Sequence, residues 1–168
     1  MRRRKSKTVH DAVHGEITLP PLCVAIVDSR QFQRLRKLKQ LGNAQLVYPS
    51  ATHTRFEHSL GVAHKAGMVA ARIRSAQPGL GIDDRDILCV QVAGLVHDLG
   101  HGPFSHQFET FLARLAASFP DEDPLKAPLH GWRHEDNSVR MFRSAPFCCR
   151  LYGRAQKIPS HILVQIPG

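Results

Sequence analysis

Long apolar runs are missing from this 168-residue chain. The longest, residues 87–96, is interrupted by Gln91 and is about half the roughly 20 residues a membrane helix needs. No apolar stretch follows the basic start, which argues against a cleavable secretory signal. Cysteine is scarce and unpatterned. Cys23, Cys89, Cys148 and Cys149 show no C-x-x-C spacing, so neither a thiolate zinc motif nor a disulfide framework is expected. Cys23 and Cys89 lie in apolar helical contexts and are expected as small core residues, and the chain is expected in a reducing, intracellular compartment. Internal repeats and low-complexity tracts are also lacking.

Acidic residues are absent from both ends. Residues 1–7 carry Arg2, Arg3, Arg4, Lys5 and Lys7, and residues 150–168 carry Arg150, Arg154 and Lys157. Between them, 15 basic residues face 14 acidic ones, so nearly all of the formal +9 charge belongs to the ends. Such ends fit either weak contact with a polyanion such as nucleic acid or a solvated terminus. The middle of the chain does not have the composition of a nucleic-acid binder.

What is present reads as one globular domain of helices, with 42% hydrophobic and 22% charged residues. Gly15 suggests a turn, and Ile17 and Leu19 alternate with polar neighbours, so residues 9–19 are expected as a short strand or extended hairpin. Pro20-Pro21 fits a helix start. Residues 31–40 are expected as a second helix with Phe32, Leu35 and Leu38 inward. The basic residues Arg30, Arg34, Arg36, Lys37 and Lys39 make its other face, either solvated surface or a phosphate contact. A long helix over 55–75 carries a stripe of mostly small residues that would let a neighbour pack closely. Asp83 fits an N-cap for a helix through residues 87–99, apolar nearly all round and so expected at the centre of a bundle. Helices over 106–119 and 134–144 follow. Residues 145–168 lack a helical period.

Chemistry concentrates at Val96-His97-Asp98-Leu99-Gly100-His101-Gly102-Pro103-Phe104-Ser105-His106, three histidines and a carboxylate where an apolar helix is broken by Gly and Pro. His97-Asp98 alone fits either a hydrogen-bonded core pair or metal ligands. With His58 on the preceding long helix, two imidazoles and a carboxylate become available to a divalent Fe, Mn, Zn or Co, leaving positions for water and phosphate. His101, His106 and His134 could move protons near neutral pH, and Arg55 could neutralise phosphate.

The set Arg55-Phe56-Glu57-His58-Ser59-Leu60-Gly61-Val62, followed by His97 through His106, resembles the HD-domain phosphohydrolases. Within them it is most similar to the vertebrate SAM-and-HD-domain deoxynucleoside triphosphate triphosphohydrolases. Colinear support comes from Asp11 to Gly15, Gln31 to Arg36, Lys39 to Gly42, Asp86 to Gly94 and His134-Glu135. The resemblance implies an all-α fold, a partial HD-domain helical bundle with a short extended N-terminal segment. The expected division is a basic flexible tail over 1–7, a partial HD domain over 8–144, and a divergent, poorly ordered tail over 145–168.

It also implies metal-dependent hydrolysis of dNTPs to deoxynucleoside and triphosphate. By matching position, His58, His97 and Asp98 are metal ligands for Fe, Mn or Zn, with Mg accompanying the nucleotide. Arg55, His101, His106 and His134 bind phosphate or act as acid and base, His106 foremost in proton transfer. Gln40 and Leu41, with Arg55, contact substrate. Lys7, Asp28, Gln33 and Arg36 match an allosteric site for a GTP or dGTP activator. Assembly with copies of itself or a full-length homologue, nuclear and alternatively cytoplasmic location, and no membrane association complete the implication. Two kinds of departure stand out. The family's fourth ligand, a second Asp about a hundred residues on, has no counterpart, because no Asp follows Asp136. Glu16, Thr8 and Glu109 replace other residue types. The isolated chain is therefore expected to be an inactive, truncated product, with a non-catalytic fragment that binds nucleotide or a full-length partner, or a hydrolase of another nucleotide, as alternatives.

Overall fold

The computed structural model describes residues 5–144. The expectations for most of the basic N-terminus and for 145–168 lie outside the described residues. Two antiparallel strands, β1 (Lys7–Asp11) and β2 (Gly15–Leu19), open the chain. Gly15 makes the turn at φ 70°, a left-handed conformation that glycine adopts without a Cβ clash. Asp11 Oδ1 closes it by accepting the backbone N–H groups of Val13 and His14. Lys7, counted with the basic tail from sequence, belongs to β1 and pairs with Leu19. The alternation read from sequence buries Ile17 and Leu19 against the helices.

Helix α1 (Pro21–Val27) starts at proline, where a missing N–H costs nothing, and sends Cys23, Val24 and Ile26 inward. The single helix expected over 31–40 is instead α2 (Arg30–Gln33), a 3-10 turn (Arg34–Lys37) and an extended exit. The exit is extended because it pairs with the segment before the next helix. Lys39 bridges Thr54, the Gln40 N–H donates to His53 O at 3.1 Å, and the Arg55 N–H donates to Leu38 O at 2.8 Å. Phe32, Leu35 and Leu38 are buried as expected.

Helix α3 (Arg55–Ala76) begins with a capping box: Thr54 Oγ1 accepts from Glu57 N–H while the Glu57 carboxylate accepts from Thr54 N–H. Helix α4 (Asp84–Val96) has the same device between Asp83 and Asp86. The two pack closely, as the small-residue stripe predicted. Gly67 lies against Gln91, and Gly94 against Val62 and the Ala63 backbone. The centre-of-bundle expectation for α4 holds only at its C-terminal end, where Val92, Ala93, Leu95 and Val96 are buried. Its first turns carry partly buried Leu88 and exposed Val90, beside exposed Val69 and Ile73 of α3. Among the described residues, no element covers that face. No helix of the described chain is long and apolar enough to cross a membrane.

Helix α5 (His106–Ala117), a short α6 (Lys126–Leu129) and α7 (His134–Ser144) complete the described chain. α7 seats on the turn after α4. Ser138 Oγ accepts Gly100 N–H at 2.7 Å and donates to His97 O at 2.6 Å, while Asn137 donates to Gly100 O. A Cβ at residue 100 would meet the α7 backbone, so glycine is required there by close approach. The architecture is thus an all-α bundle with a short N-terminal hairpin, as expected from sequence.

Candidate metal centre and flanking histidine cluster

The first turn of α3 and the end of α4 meet at one point because their small residues let the two helices approach. His58 is one turn into α3, and His97 and Asp98 follow the last turn of α4. The Nε2 atoms of His58 and His97 face each other at 3.3 Å. Asp98 Oδ2 is 3.5 Å from His58 Nε2, and its Oδ1 is 3.3 Å from His97 Nε2. One ligand atom from each residue falls within 4.8 Å of the others. His97 Nδ1 sits 2.8 Å from Gly94 O. As the donor there, Nδ1 leaves the Nε2 lone pair directed inward, the arrangement of a metal-bound imidazole.

The electrostatics suit a cation. Burial pushes His58 below the ordinary imidazole value, against the pull of Asp98, so near neutral pH it offers a lone pair. Burial by itself would raise the Asp98 carboxyl. The His101 contact and the electrostatic influence of the neighbouring His97 ring and Arg55 guanidinium outweigh it and hold Asp98 well below the usual carboxylate range. His101 is itself held neutral by burial, so Arg55 is the permanent cation opposite Asp98. Arg55 is 1% exposed, and its Nη1 donates to Asp98 Oδ2 at 2.5 Å. Its Nε donates to Ser105 Oγ at 2.9 Å, and Ser105 Oγ donates to Lys39 O at 2.6 Å. Two nitrogens and an oxygen with an anchored carboxylate fit Fe, Mn or Zn.

His101, His106 and His134 gather beside this triad, as the sequence implied, and Glu109 joins them. The rings of His101 and His134 stack with centroids 3.8 Å apart, and His106 stands edge-on to both, at 4.8 and 5.1 Å. His134 Nδ1 lies 2.5 Å from Glu109 Oε1, and His106 Nδ1 lies 4.0 Å from the same oxygen. Phe104 and Ser105, both at positive φ (62° and 58°), form the turn that launches α5 and sets His106 over His101. From sequence, Glu109 is named only as a departure from the family pattern and Ser105 only as part of the motif; neither is given a role in the site. The signal available for Glu109 was its i,i+3 spacing from His106 on one helix face; nothing in the sequence marked Ser105 as an anchor for Arg55.

Gln40 approaches the same centre through its backbone. Its carbonyl lies 3.5 Å from Arg55 Nη2, and its buried side-chain Oε1 has no hydrogen-bond partner among the described residues. Leu41, next to it, is exposed. Lys7, Asp28, Gln33 and Arg36 are brought together elsewhere. All four line one cavity of about 250 Å³ between β1, α1, α2 and α3. There Gln33 Nε2 donates to Val27 O, Arg36 Nε donates to Gln33 Oε1, and the Arg36 guanidinium covers the Phe56 ring at 3.6 Å. Burial pushes the Cys23 thiol up to about 12, which leaves it an inert core residue.

A histidine one turn into one helix and an adjacent His-Asp pair ending the next define an HD site, and residues 55–162 match the HD domain family model. The chain belongs to the HD-domain family. That match runs past residue 144, the end that motif similarity had indicated. The human deoxynucleoside triphosphate triphosphohydrolase SAMHD1 is 51% identical over 136 residues, which are 81% of this chain and 20% of the human protein. The SAMHD1 homolog of Dictyostelium discoideum is 45% identical over 139 residues, 83% of this chain and 25% of its own length. A putative HD domain-containing protein, L394, of Acanthamoeba polyphaga mimivirus is 41% identical over 122 residues, 66% of this chain and 27% of its own. The chain therefore spans about a fifth to a quarter of the length of these curated relatives.

Proposed function

We propose that this chain carries the metal-binding part of a deoxynucleoside triphosphate triphosphohydrolase. The observation that carries the reading is the convergence of His58, His97 and Asp98, with Arg55 locked to the carboxylate, in a chain about half identical to a relative of that name. A divalent Fe, Mn or Zn on the triad would polarise the α-phosphate and lower the pKa of a bound water. Hydrolysis would join a water oxygen to the α-phosphorus and break the bond from that phosphorus to the 5′ oxygen, the proton lost by the water replacing the one that His106 delivers. His106 passes a proton to the departing 5′ oxygen. Its exposed ring beside His134 and Glu109 suits that exchange. Glu109 and His134 orient each other, and the buried His101 holds the wall between proton relay and triad. Arg55 keeps Asp98 anionic and in place. Gln40 and Leu41 border the sugar side, and Mg accompanies the nucleotide.

In this reading the cavity of Lys7, Asp28, Gln33 and Arg36 receives a guanine nucleotide, GTP or dGTP, at an interface between copies. Lys7 and Arg36 supply charge for phosphates, and Asp28 and Gln33, with Asp11, Glu57 and His10 also on the lining, supply donors and acceptors for a base. The test is a chimera in which residues 7–144 replace the matching segment of the human relative. With Mn or Fe, GTP and a dNTP it should release inorganic triphosphate, and the His97→Ala chimera should not. A folded chimera that binds metal yet releases no triphosphate rules the reading out. The isolated chain is expected to release none.

A further inference from the structure

We propose that Arg34 is a positioning residue for the metal triad: its guanidinium grips the Leu99 carbonyl and fixes the turn that presents His97 and Asp98. The proposal rests on the reading of that triad as a metal site. Arg34 opens the 3-10 turn after α2, and its Nη2 donates to Leu99 O at 2.7 Å, across 65 positions of sequence. Leu99 is fully buried and directly follows the ligand Asp98.

The basic side chains of residues 30–39 are expected from sequence on solvated surface or against phosphate. Arg34 turns inward instead. Its neighbours Gln33 and Arg36 line the cavity of Lys7 and Asp28, and Arg34 does not. Among the described residues no carboxylate forms an ion pair with it, and its buried Nε has no hydrogen-bond partner. Burial works against the charge and pushes the guanidinium below its ordinary value. A desolvated cation without a counter-charge is costly unless charge is needed where it sits. What faces Arg34 is the negative end of α4. That helix has no basic residue in its own last turn, and a cation at a helix C-terminus offsets the dipole of the last carbonyls.

Every carbonyl from Val96 to Gly100 has a donor. Val96 O accepts the Leu99 N–H and Asp98 O accepts the His101 N–H, both within the turn. His97 O accepts from Ser138 and Gly100 O from Asn137, both on α7. The Leu99 carbonyl is left to Arg34. Released, it would turn towards water, and the peptide joining Leu99 to Gly100 would rotate with it. That rotation changes the angle at which Asp98 leaves the turn on one side and His101 on the other. Arg55 fixes the Asp98 carboxylate at its tip; Arg34 fixes the backbone beneath it.

The metal-stripped 168-residue chain and its Arg34→Ala, Arg34→Gln, Arg34→Lys, Lys37→Ala and His97→Ala variants are titrated with Co(II) and followed by the visible cobalt bands. Circular dichroism and urea unfolding of the metal-free forms run alongside. The parent should bind Co(II) at a site that His97→Ala abolishes. Arg34→Ala should weaken that site at least about tenfold and move its cobalt bands. Arg34→Gln, which loses the charge and keeps an amide donor, should do the same and serves as the reading if Arg34→Ala does not fold. Arg34→Lys keeps a cation on a long stem and should recover most of the affinity and the parent bands. Lys37→Ala, an exposed neighbour in the same turn, should match the parent. A folded Arg34→Ala or Arg34→Gln protein with parent affinity and parent bands, merely easier to unfold in urea, overturns the positioning role and leaves the triad standing. A parent chain without Co(II) uptake that depends on His97 overturns the triad reading, and this proposal with it.

Discussion

The two histidine clusters come within a few residues of each other along the chain, at His97-Asp98 and His101, and are held in opposite ways. The triad sits where two long capped helices cross, and its carboxylate is gripped by a buried arginine that also grips Ser105 and, through it, the Lys39 carbonyl. The neighbouring cluster sits on a break. Its residues come from a turn, from a helix launched by two strained residues, and from a third helix that rests on Gly100. Ligands on crossing helices are preset by the fold. Side chains on a break depend on many weaker contacts and keep freedom to move.

The sharpest way to break this contrast is Arg55→Ala. It leaves the Asp98 carboxylate buried without its cation, and should cost about 3–5 kcal/mol of unfolding free energy in urea titrations. A loss below about 1 kcal/mol would show that the triad is not organised around that pair. Gly100→Ala comes next. A methyl group pressed into the α7 backbone should cost about 1–3 kcal/mol by the same measurement, and should move His134 away from His101 while leaving the geometry of the triad unchanged. Glu109→Gln, in a partly exposed pair, should cost about 1 kcal/mol or less, because the second cluster adds little to the metal-free fold.

The smallest effect is the response to mild acid, and it treats both clusters alike. His58 and His101 bind protons less readily folded than unfolded, because burial penalises their charged forms. The unfolded chain thus takes up more protons as pH falls below the free imidazole value of about 6.5, and stability must fall in the same direction. Asp98 adds to this lower down. Its depressed carboxyl contributes stability above the free value of about 3.9, and that contribution is lost as pH falls further. The urea midpoint of the metal-free protein should drop between about pH 7.5 and 5.5. A flat or rising midpoint contradicts the burial described for these rings.

The contrast also explains what the sequence made legible. His58, His97 and Asp98 were readable because regular helices fix which residues share a face, and because apolar periodicity and caps mark where helices begin. Asp83 announced α4, and Gly15 the hairpin. Residues 31–40 misled because their three-residue apolar spacing fits a 3-10 turn as well as an α-helix. What ends the helix is pairing with residues 53–55, a non-local event. The central placement of α4 failed for a similar reason: an apolar sequence states what a helix can bury, not which neighbour is there to cover it. The roles of Glu109 and Ser105 were missed because their partners, His134 and Arg55, are 25 and 50 residues away.

The central claim is that His58, His97 and Asp98 are a preset metal site in this chain. Thermal unfolding with and without Mn(II) tests it most directly, comparing the parent with His58→Ala, whose partly exposed ring is replaced without opening the core. A metal held about 100-fold above its dissociation constant should stabilise the parent by about 2.7 kcal/mol and leave the His58→Ala melting temperature unchanged. No shift in the parent, or an equal shift in both, would contradict it.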